Sequence, residues 1–198
     1  MRTIFYVTIF ALSIISIASC SEKQKYEQLV QKELSSGVRH DSLFLNLELG
    51  MSSESFYKVC WEMNKRGLIR QGSGNTTVLY EMKDDLKFPA DLNFYPTFFE
   101  DKIYEIPVQV QYKAWAPWNK PTQSDSLQQD VLSLFKRWYG DNFIEVSAPD
   151  PNHTAYVKVD GNRRISIYRD KVNDGMVWVL FTDLSKEKEF KSQATNKN

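Results

Sequence analysis

The feature that most constrains the fold of this chain is an order of segments that occurs twice. A helical pattern begins at Ser52 and another spans residues 124–139, and several short strand-like stretches follow each of them. Strands joined by short turns favour antiparallel pairing, with the helices packed against the sheet. The sequence therefore predicts an α+β fold, with two main helices on one face of one or more antiparallel sheets. Two successive helix-plus-strands units are one form of this fold, although no sequence repeat is visible.

The first helix has a start signal, an apolar stripe and a stop signal. Ser52 is a suitable N-cap, because its hydroxyl can accept a hydrogen bond from the first turn. Gly67 fits the left-handed position after the last turn, which predicts a Schellman stop. Between them, apolar residues recur at spacings of three and four on a single helix face, namely Phe56, Val59, Cys60 and Met63.

Strand-like patterns account for much of the remaining chain. They cover residues 43–49, 77–82, 88–94 and 103–112, and then 143–147, 155–160, 163–169 and 176–182. Pro107 lacks an amide donor, so its strand is predicted to lie at a sheet edge or to begin there. The sequence Asp160-Gly161-Asn162 predicts a tight hairpin. From Ser185 onward polar residues dominate, which predicts a disordered tail over 185–198.

The N-terminus has the layout of a secretory signal. Arg2 precedes an apolar stretch over residues 4–17, and small residues lead into a cysteine as Ile17-Ala18-Ser19-Cys20. This ending resembles the bacterial lipobox, in which an aliphatic residue and two small residues precede an invariant cysteine. The resemblance implies cleavage before Cys20, which would then carry lipid on its sulfur and its amino group.

These expectations divide the chain into five parts. Residues 1–19 are the signal peptide, 20–40 a lipidated tether or short helix, 41–121 and 122–184 the two helix-plus-sheet units, and 185–198 the tail. In the sorting rule of enterobacterial lipoproteins, Ser21 after the cysteine implies the outer membrane. The mixed charges over residues 21–25 favour the periplasmic face. The expected location is thus the cell envelope, with the membrane as a partner through the lipid anchor.

The charge balance argues against nucleic acid as a partner. The chain has 25 Lys and Arg against 25 Asp and Glu. Loss of residues 1–19 removes only Arg2 and leaves a formal charge of −1. A surface with this balance has no general attraction for a polyanion. The lipid address and the aromatic loop over residues 112–121 instead favour an envelope protein or a glycan as the partner.

Residues 49–106 resemble the small outer-membrane lipoproteins of the SmpA/OmlA type. The matching pieces are Gly50-Met51-Ser52, Val78-Leu79-Tyr80, Leu92-Asn93-Phe94 and Lys102-Ile103-Tyr104-Glu105-Ile106. The resemblance implies helices on a small antiparallel sheet and action through protein contacts. The chain departs from the family at residues 65–68, where Lys-Arg-Gly-Leu replaces the expected Gly-x-Pro. The second unit has no counterpart in single-unit members but suits a tandem form, as in β-lactamase-inhibitor-like proteins.

The residues that usually perform catalysis or bind metals form no recognisable set. Cys60 lies within the apolar stripe of the first helix, which predicts a buried structural thiol rather than a nucleophile. His40 and His153 are far apart in the sequence and belong to no metal-binding motif. We therefore expect no catalytic residue, no metal and no cofactor, and the sequence leans against an enzyme.

One connection is rich enough in aromatic residues to suggest a binding loop. Residues 112–121 contain two tryptophans and two prolines, and the candidate site residues are Tyr112, Trp115, Trp118 and Asn119. Exposed tryptophans there could stack on a sugar or anchor a protein. Alternatively, both indole side chains are buried and fill the end of the core where the two halves meet. The leading hypothesis is a non-enzymatic protein-interaction module on a lipid anchor, and the alternative is a glycan-binding lipoprotein that uses Trp115 and Trp118.

Overall fold

The computed structural model describes residues 23–72, 74, 76–147 and 154–195. The signal peptide, Cys20 and His153 lie outside the described residues. The described helices are α1 over residues 23–35, α2 Ser53–Lys65, α3 Ser124–Tyr139 and α4 Glu187–Thr195, with a short 3-10 turn at Lys120–Thr122. The strands are β1 Ile69–Gln71, β2 Val78–Met82, β3 Ala90–Phe94, β4 Thr97–Phe99, β5 Lys102–Tyr112, β6 Ile144–Ser147, β7 Thr154–Asp160, β8 Arg163–Arg169 and β9 Met176–Asp183.

All nine of these strands belong to one antiparallel sheet. The order across it is β1-β2-β3-β5-β9-β8-β7-β6, and β4 pairs with the first residues of β5. Each half is a meander that follows one main helix, and the two halves meet where β5 pairs with β9. The predicted α+β fold with an antiparallel sheet and two main helices is confirmed.

The core lies between the sheet and the helices α2 and α3. Alternate residues of the central strands point into it, with Val108 opposite Val179 and Ile106 opposite Phe181. The ring of Phe135 on α3 packs 5.8 Å from that of Phe181, measured between centroids. The period of two along each strand thus places one apolar row against the helices.

Helix α2 begins and ends as its sequence signals predict. The Ser52 hydroxyl accepts a hydrogen bond from the amide of Ser55 at 3.3 Å. Gly67 has a φ of +67°, and the amide of Leu68 donates to the carbonyl of Met63 at 3.0 Å. Of the two hydrogen bonds that define a Schellman stop, this is the one that spans more residues. The cap and the stop are both confirmed.

The prediction of a strand over residues 43–49 is wrong. The chain turns there, with Leu45 and Asn46 at φ values of 52° and 59°. Phe44 is buried as well as Leu47, so side chains of both parities enter the core. The alternating leucines therefore reflect a loop folded over the core rather than a pleated strand.

The expectation for Pro107 is also wrong, because β5 lies in the middle of the sheet. On one side, β4 pairs with β5 as far as Glu105 and β3 pairs from Val108 onward. Ile106 and Pro107 fall in the gap between these two partners. Because Pro107 has no partner strand on that side, its missing amide donor removes no hydrogen bond between strands there. A central strand can therefore contain this proline.

The two ends of the described chain are helices that pack on the opposite face of the sheet. In α1, predicted as a short helix or tether, Leu29 and Val30 pack near Val157 and Val159 of β7. The prediction of a disordered tail is wrong for α4, where Phe190 stacks at 4.4 Å on the ring of Tyr104. A half-buried aromatic side chain and the ion pair between Glu187 and Arg164 hold this helix, and composition does not reveal such contacts.

Candidate functional site

The predicted binding loop does not present its four residues on one surface. Tyr112 is only 1% exposed, and its hydroxyl donates to the carboxylate of Asp130. Burial, with that hydrogen bond, raises the pKa of Tyr112. The side-chain amide of Asn119 donates to the carbonyl of Ala114 at 3.3 Å and so braces the loop. Both residues therefore have structural contacts.

The two tryptophans of this loop have different surroundings. Trp115 packs so closely on Gly175 that a Cβ added to that glycine would lie 2.6 Å from the indole. Trp118 is 85% exposed. The structure thus brings one tryptophan of the loop to the solvent, and binding by the loop stays a prediction.

Exposed apolar side chains gather instead at the β1 edge of the sheet. In the described part of the chain, four of the eight large apolar side chains that are exposed lie there, namely Tyr57, Trp61, Leu68 and Tyr95. Trp61 is 60% exposed and Tyr57 is 53% exposed. Contiguous exposed apolar surface on a soluble domain is typical of an interaction site.

These aromatic residues line a groove between helix α2 and the edge of the sheet, which we call the α2–β1 groove. The α2 wall consists of four residues at spacings of three, four and seven, namely Tyr57, Cys60, Trp61 and Asn64. The sheet wall includes Ile69, Gln71 and Val78, and Tyr95 contributes from the β3–β4 connection. The groove has a volume of about 710 Å³, which is within the usual range of binding pockets.

The walls of the groove are held by defined contacts. Phe56 is 1% exposed, and its ring packs against those of Tyr57 and Tyr95 at 5.5 and 5.9 Å. The side-chain amide of Asn64 donates to the carbonyl of Ile69 at 3.1 Å, which ties α2 to β1. The groove is therefore a preformed feature of the fold.

A hydrogen bond between two tyrosines bridges the end of the groove. The hydroxyls of Tyr57 and Tyr95 lie 2.6 Å apart. This hydrogen bond, followed by burial, raises the pKa of Tyr95 to about 12. Tyr95 is thus neutral at physiological pH, and its hydrogen bond with Tyr57 keeps this rim of the groove in place.

Cys60 is half-buried in the groove wall, next to the core. Burial raises the pKa of its thiol to about 11. The thiolate is the reactive form of cysteine, so this side chain contributes an apolar wall rather than a nucleophile. Among the described residues, no group of three or more His, Cys, Asp and Glu side chains is arranged to hold a metal ion.

The segment that carries the helix wall and β1 has more basic than acidic side chains, although Arg70 pairs with Glu81 of β2 and Lys65 with Glu62. Residues 53–72 contain two acidic side chains, Glu54 and Glu62, and four basic ones, Lys58, Lys65, Arg66 and Arg70. The ammonium of Lys65 lies 5.3 Å from the centroid of the Trp61 ring. An exposed indole can bind an apolar side chain of a partner. The cation over the indole can pair with an acidic side chain next to it.

Two other cavities lie close by but offer less contact surface of this kind. A cleft of about 860 Å³ shares Asn64, Ile69 and Arg70 with the groove and is lined by charges of both signs, including Glu81, Lys83, Asp84 and Asp85. A smaller apolar pocket of about 300 Å³ lies between the turn at Leu43–Leu45 and Trp138 at the end of α3. Of these three cavities in the described part of the chain, the α2–β1 groove is the one that combines several exposed aromatic side chains with a sheet edge.

Sequence reasoning missed this site although a signal for it was present. Tyr57 and Trp61 lie outside the apolar stripe of α2, on a part of the helix that the pattern assigns to solvent. Two large aromatic side chains on the polar part of an amphipathic helix are not needed for its apolar stripe, and this placement indicates a contact surface. The edge strand β1 was missed because three residues are too few to show an alternating pattern.

Comparisons of the chain with protein-family models, with curated proteins and with solved structures found no significant match. The resemblance to SmpA/OmlA-type lipoproteins and the lipobox therefore stay predictions. None of the helices within the described residues is both long enough and apolar enough to cross a membrane.

Proposed function

We propose that this protein is a lipid-anchored component of the bacterial cell envelope that acts without catalysis, by binding a protein partner in the α2–β1 groove. The observation that carries the proposal is the set of exposed aromatic side chains, above all Trp61 and Tyr57, around a preformed groove. Aromatic residues are enriched among the side chains that dominate binding energy at protein interfaces.

The proposed anchor, Cys20, lies close in sequence to helix α1. Helix α1 is already formed at residue 23, three residues after Cys20. Three residues span at most about 11 Å, which would hold the body close to the membrane. Acyl chains contribute about 0.8 kcal/mol for each buried methylene, so two or three chains suffice for a stable anchor. We assign the protein to the periplasmic face of the outer membrane.

The anchor has a direct test. In the variant Cys20→Ser, labelling with a palmitate analogue should be lost and the protein should leave the membrane fraction. Equal labelling of the variant and the wild type would contradict the lipobox. This result would not affect the groove, because the two parts of the proposal rest on different residues.

The groove is tested by comparing two exposed tryptophans. The wild type, Trp61→Ala and Trp118→Ala should each be used to capture envelope proteins from a detergent extract, with quantitative mass spectrometry. A partner bound in the groove should lose at least about tenfold in affinity with Trp61→Ala, as for an aromatic anchor worth about 1.4 kcal/mol. Trp118→Ala is the matched control and should bind like the wild type.

The opposite pattern would favour the second candidate function, a glycan-binding lipoprotein. Trp118 is the observation behind it, because an indole that is 85% exposed can stack on a sugar ring. A glycan array should then show binding that Trp118→Ala removes and Trp61→Ala keeps. Capture that neither substitution changes would exclude both tryptophans as anchors.

A further inference from the structure

We infer that the partner enters the α2–β1 groove as an extended peptide segment, which pairs with β1 as a tenth strand of the sheet. This inference rests on the proposed function and adds the conformation and chemistry of the bound segment. A groove with a helix on one side and a free strand edge on the other is suited to strand addition, in which main-chain hydrogen bonds supply affinity.

The edge of β1 that faces away from β2 is open to pairing. β1 is the last strand of the sheet and pairs only with β2 in the described part of the chain. The amide of Gly72 donates to the carbonyl of Thr77, which marks these two residues as a hydrogen-bonded pair. Hydrogen-bonded and non-hydrogen-bonded pairs alternate along an antiparallel ladder. The backbone groups of Ile69 and Gln71 therefore point outward, towards the groove.

One of these outward-pointing backbone groups already has a hydrogen-bond partner on the groove side. The carbonyl of Ile69 accepts its hydrogen bond from Asn64 of α2, across the groove. Among the described residues, no strand pairs with the amide of Ile69 or with either backbone group of Gln71, and an added strand can use them. An incoming residue opposite Gln71 would exchange two hydrogen bonds with it, as in any antiparallel pair.

The chemistry of the groove also defines the side chains of the segment. Successive side chains of a strand point to opposite faces, so every second residue would enter the groove. The walls there are aromatic and apolar, with Tyr57, Cys60 and Trp61 on one side and Val78 on the other. We therefore expect apolar residues at alternate positions of the segment.

Charge selects among such segments. Lys58 and Lys65 lie three residues before and four residues after Trp61 in α2, so they flank it on one face of the helix. The stretch 53–72 has an excess of two positive charges; within it Lys65 pairs with Glu62, Arg70 pairs with Glu81 of β2, and no ion pair is seen for Lys58 among the described residues. The favoured segment has an acidic residue next to an apolar one, whereas a basic segment would meet like charges on the rim.

The test uses the lipidated full chain in detergent and a displayed library of short random peptides. We expect selection of peptides with alternating apolar residues and at least one acid, and loss of their binding in Trp61→Ala. For the best peptide, two versions should be made with N-methyl groups on alternate amides, one version for each edge of the strand. Their affinities are measured by titration.

Strand addition predicts opposite results for the two N-methylated peptides. Methylation on the edge that faces β1 removes donors and inserts bulk, so affinity should fall at least about tenfold. Methylation on the outer edge should change affinity by less than about threefold. Equal affinities, or equal losses, would overturn the inference, because a paired strand uses one edge only.

A variant of the protein gives a second readout. Gln71→Pro removes an outward amide without removing a bond to β2, and proline is accepted on edge strands. It should weaken the peptide at least about tenfold while Trp118→Ala does not. Thermal unfolding of both variants shows whether the fold is retained.

Failure of this inference differs from failure of the proposed function. Peptides that need Trp61 but tolerate both methylation patterns would keep the groove as a binding site and reject strand addition. No selected peptides, or self-association through β1 seen by sedimentation and abolished by Gln71→Pro, would also reject the peptide segment. If protein capture itself is indifferent to Trp61→Ala, the proposed function fails first.

Discussion

The two ends of the sheet have similar topology but different surfaces. At the β6–β7 end, α1 lies over the sheet and forms a small apolar cluster with Val157, Val159 and Leu184. At the β1 end, Tyr57 and Trp61 stay more than half exposed. At the β6–β7 end, a helix thus covers apolar residues on the face of the sheet. Exposure at the other end is therefore not imposed by topology.

The charged groups show the same contrast. Near the β6–β7 end, the ammonium of Lys158 is buried and lies 2.9 Å from the carboxylate of Asp160, which also pairs with Arg163 at 3.1 Å. At the β1 end, the pair between Lys65 and Glu62 is exposed at 3.5 Å. Loss of one member of a buried pair leaves an uncompensated buried charge, whereas water screens an exposed pair and either member can exchange its partner.

The largest effect should come from the residue beneath the groove. Phe56→Ala should lower the free energy of unfolding by about 3–5 kcal/mol, because it removes a buried ring that packs on three other aromatic rings. Urea unfolding measures this loss. Cys60→Ala in the same helix is the control, and we expect it to cost much less. A loss below about 1 kcal/mol for Phe56→Ala would contradict the tight packing of this side chain beneath the groove.

The ion pairs at the two ends should differ next. Asp160→Ala leaves the buried Lys158 without its carboxylate and should cost about 3 kcal/mol. Glu62→Ala removes the exposed pair with Lys65 and should stay within about 0.5 kcal/mol. Both values come from urea unfolding under identical salt. Similar losses in the free energy of unfolding for the two substitutions would contradict the difference between the β6–β7 end and the β1 end.

Cys60 reports on the groove through its pH dependence. With a pKa of about 11, its thiolate is scarce at pH 8, and alkylation should be about 100-fold slower than for a free thiol near pKa 9. The rate should rise about tenfold for each pH unit until it levels off near pH 11. Mass spectrometry of the alkylated protein gives the rate. Fast alkylation at pH 8 would mean that the thiol is neither buried nor protonated.

The smallest stability effect should come from the groove aromatics themselves. Trp61→Ala should change the free energy of unfolding by no more than about 0.5 kcal/mol, because the indole is 60% exposed. Thermal and urea unfolding of this variant should therefore match those of Trp118→Ala. A destabilisation of several kcal/mol would assign Trp61 to the core and remove it as an anchor.

Structural features that depend on neighbouring residues were predicted from the sequence. Features that depend on contacts between distant residues were missed. Helix α2 followed from Ser52, its apolar stripe and Gly67, since caps and stripes are local. The turn at residues 43–49 and the helix α4 were missed because their structure depends on burial against distant strands. The α2–β1 groove requires β1, which exists only through its pairing with β2. The tryptophan loop was predicted from composition, which cannot tell the packed Trp115 from the exposed Trp118.

The most direct test of the central claim is site-specific photo-crosslinking in the cells that make the protein. A photoreactive phenylalanine analogue at position 61 should form a covalent adduct with one envelope protein, identified by mass spectrometry. The same analogue at position 118 is the matched exposed control and should form no such adduct. An adduct at position 118 with none at position 61, or no adduct at either, would contradict the assignment of the α2–β1 groove as the binding surface.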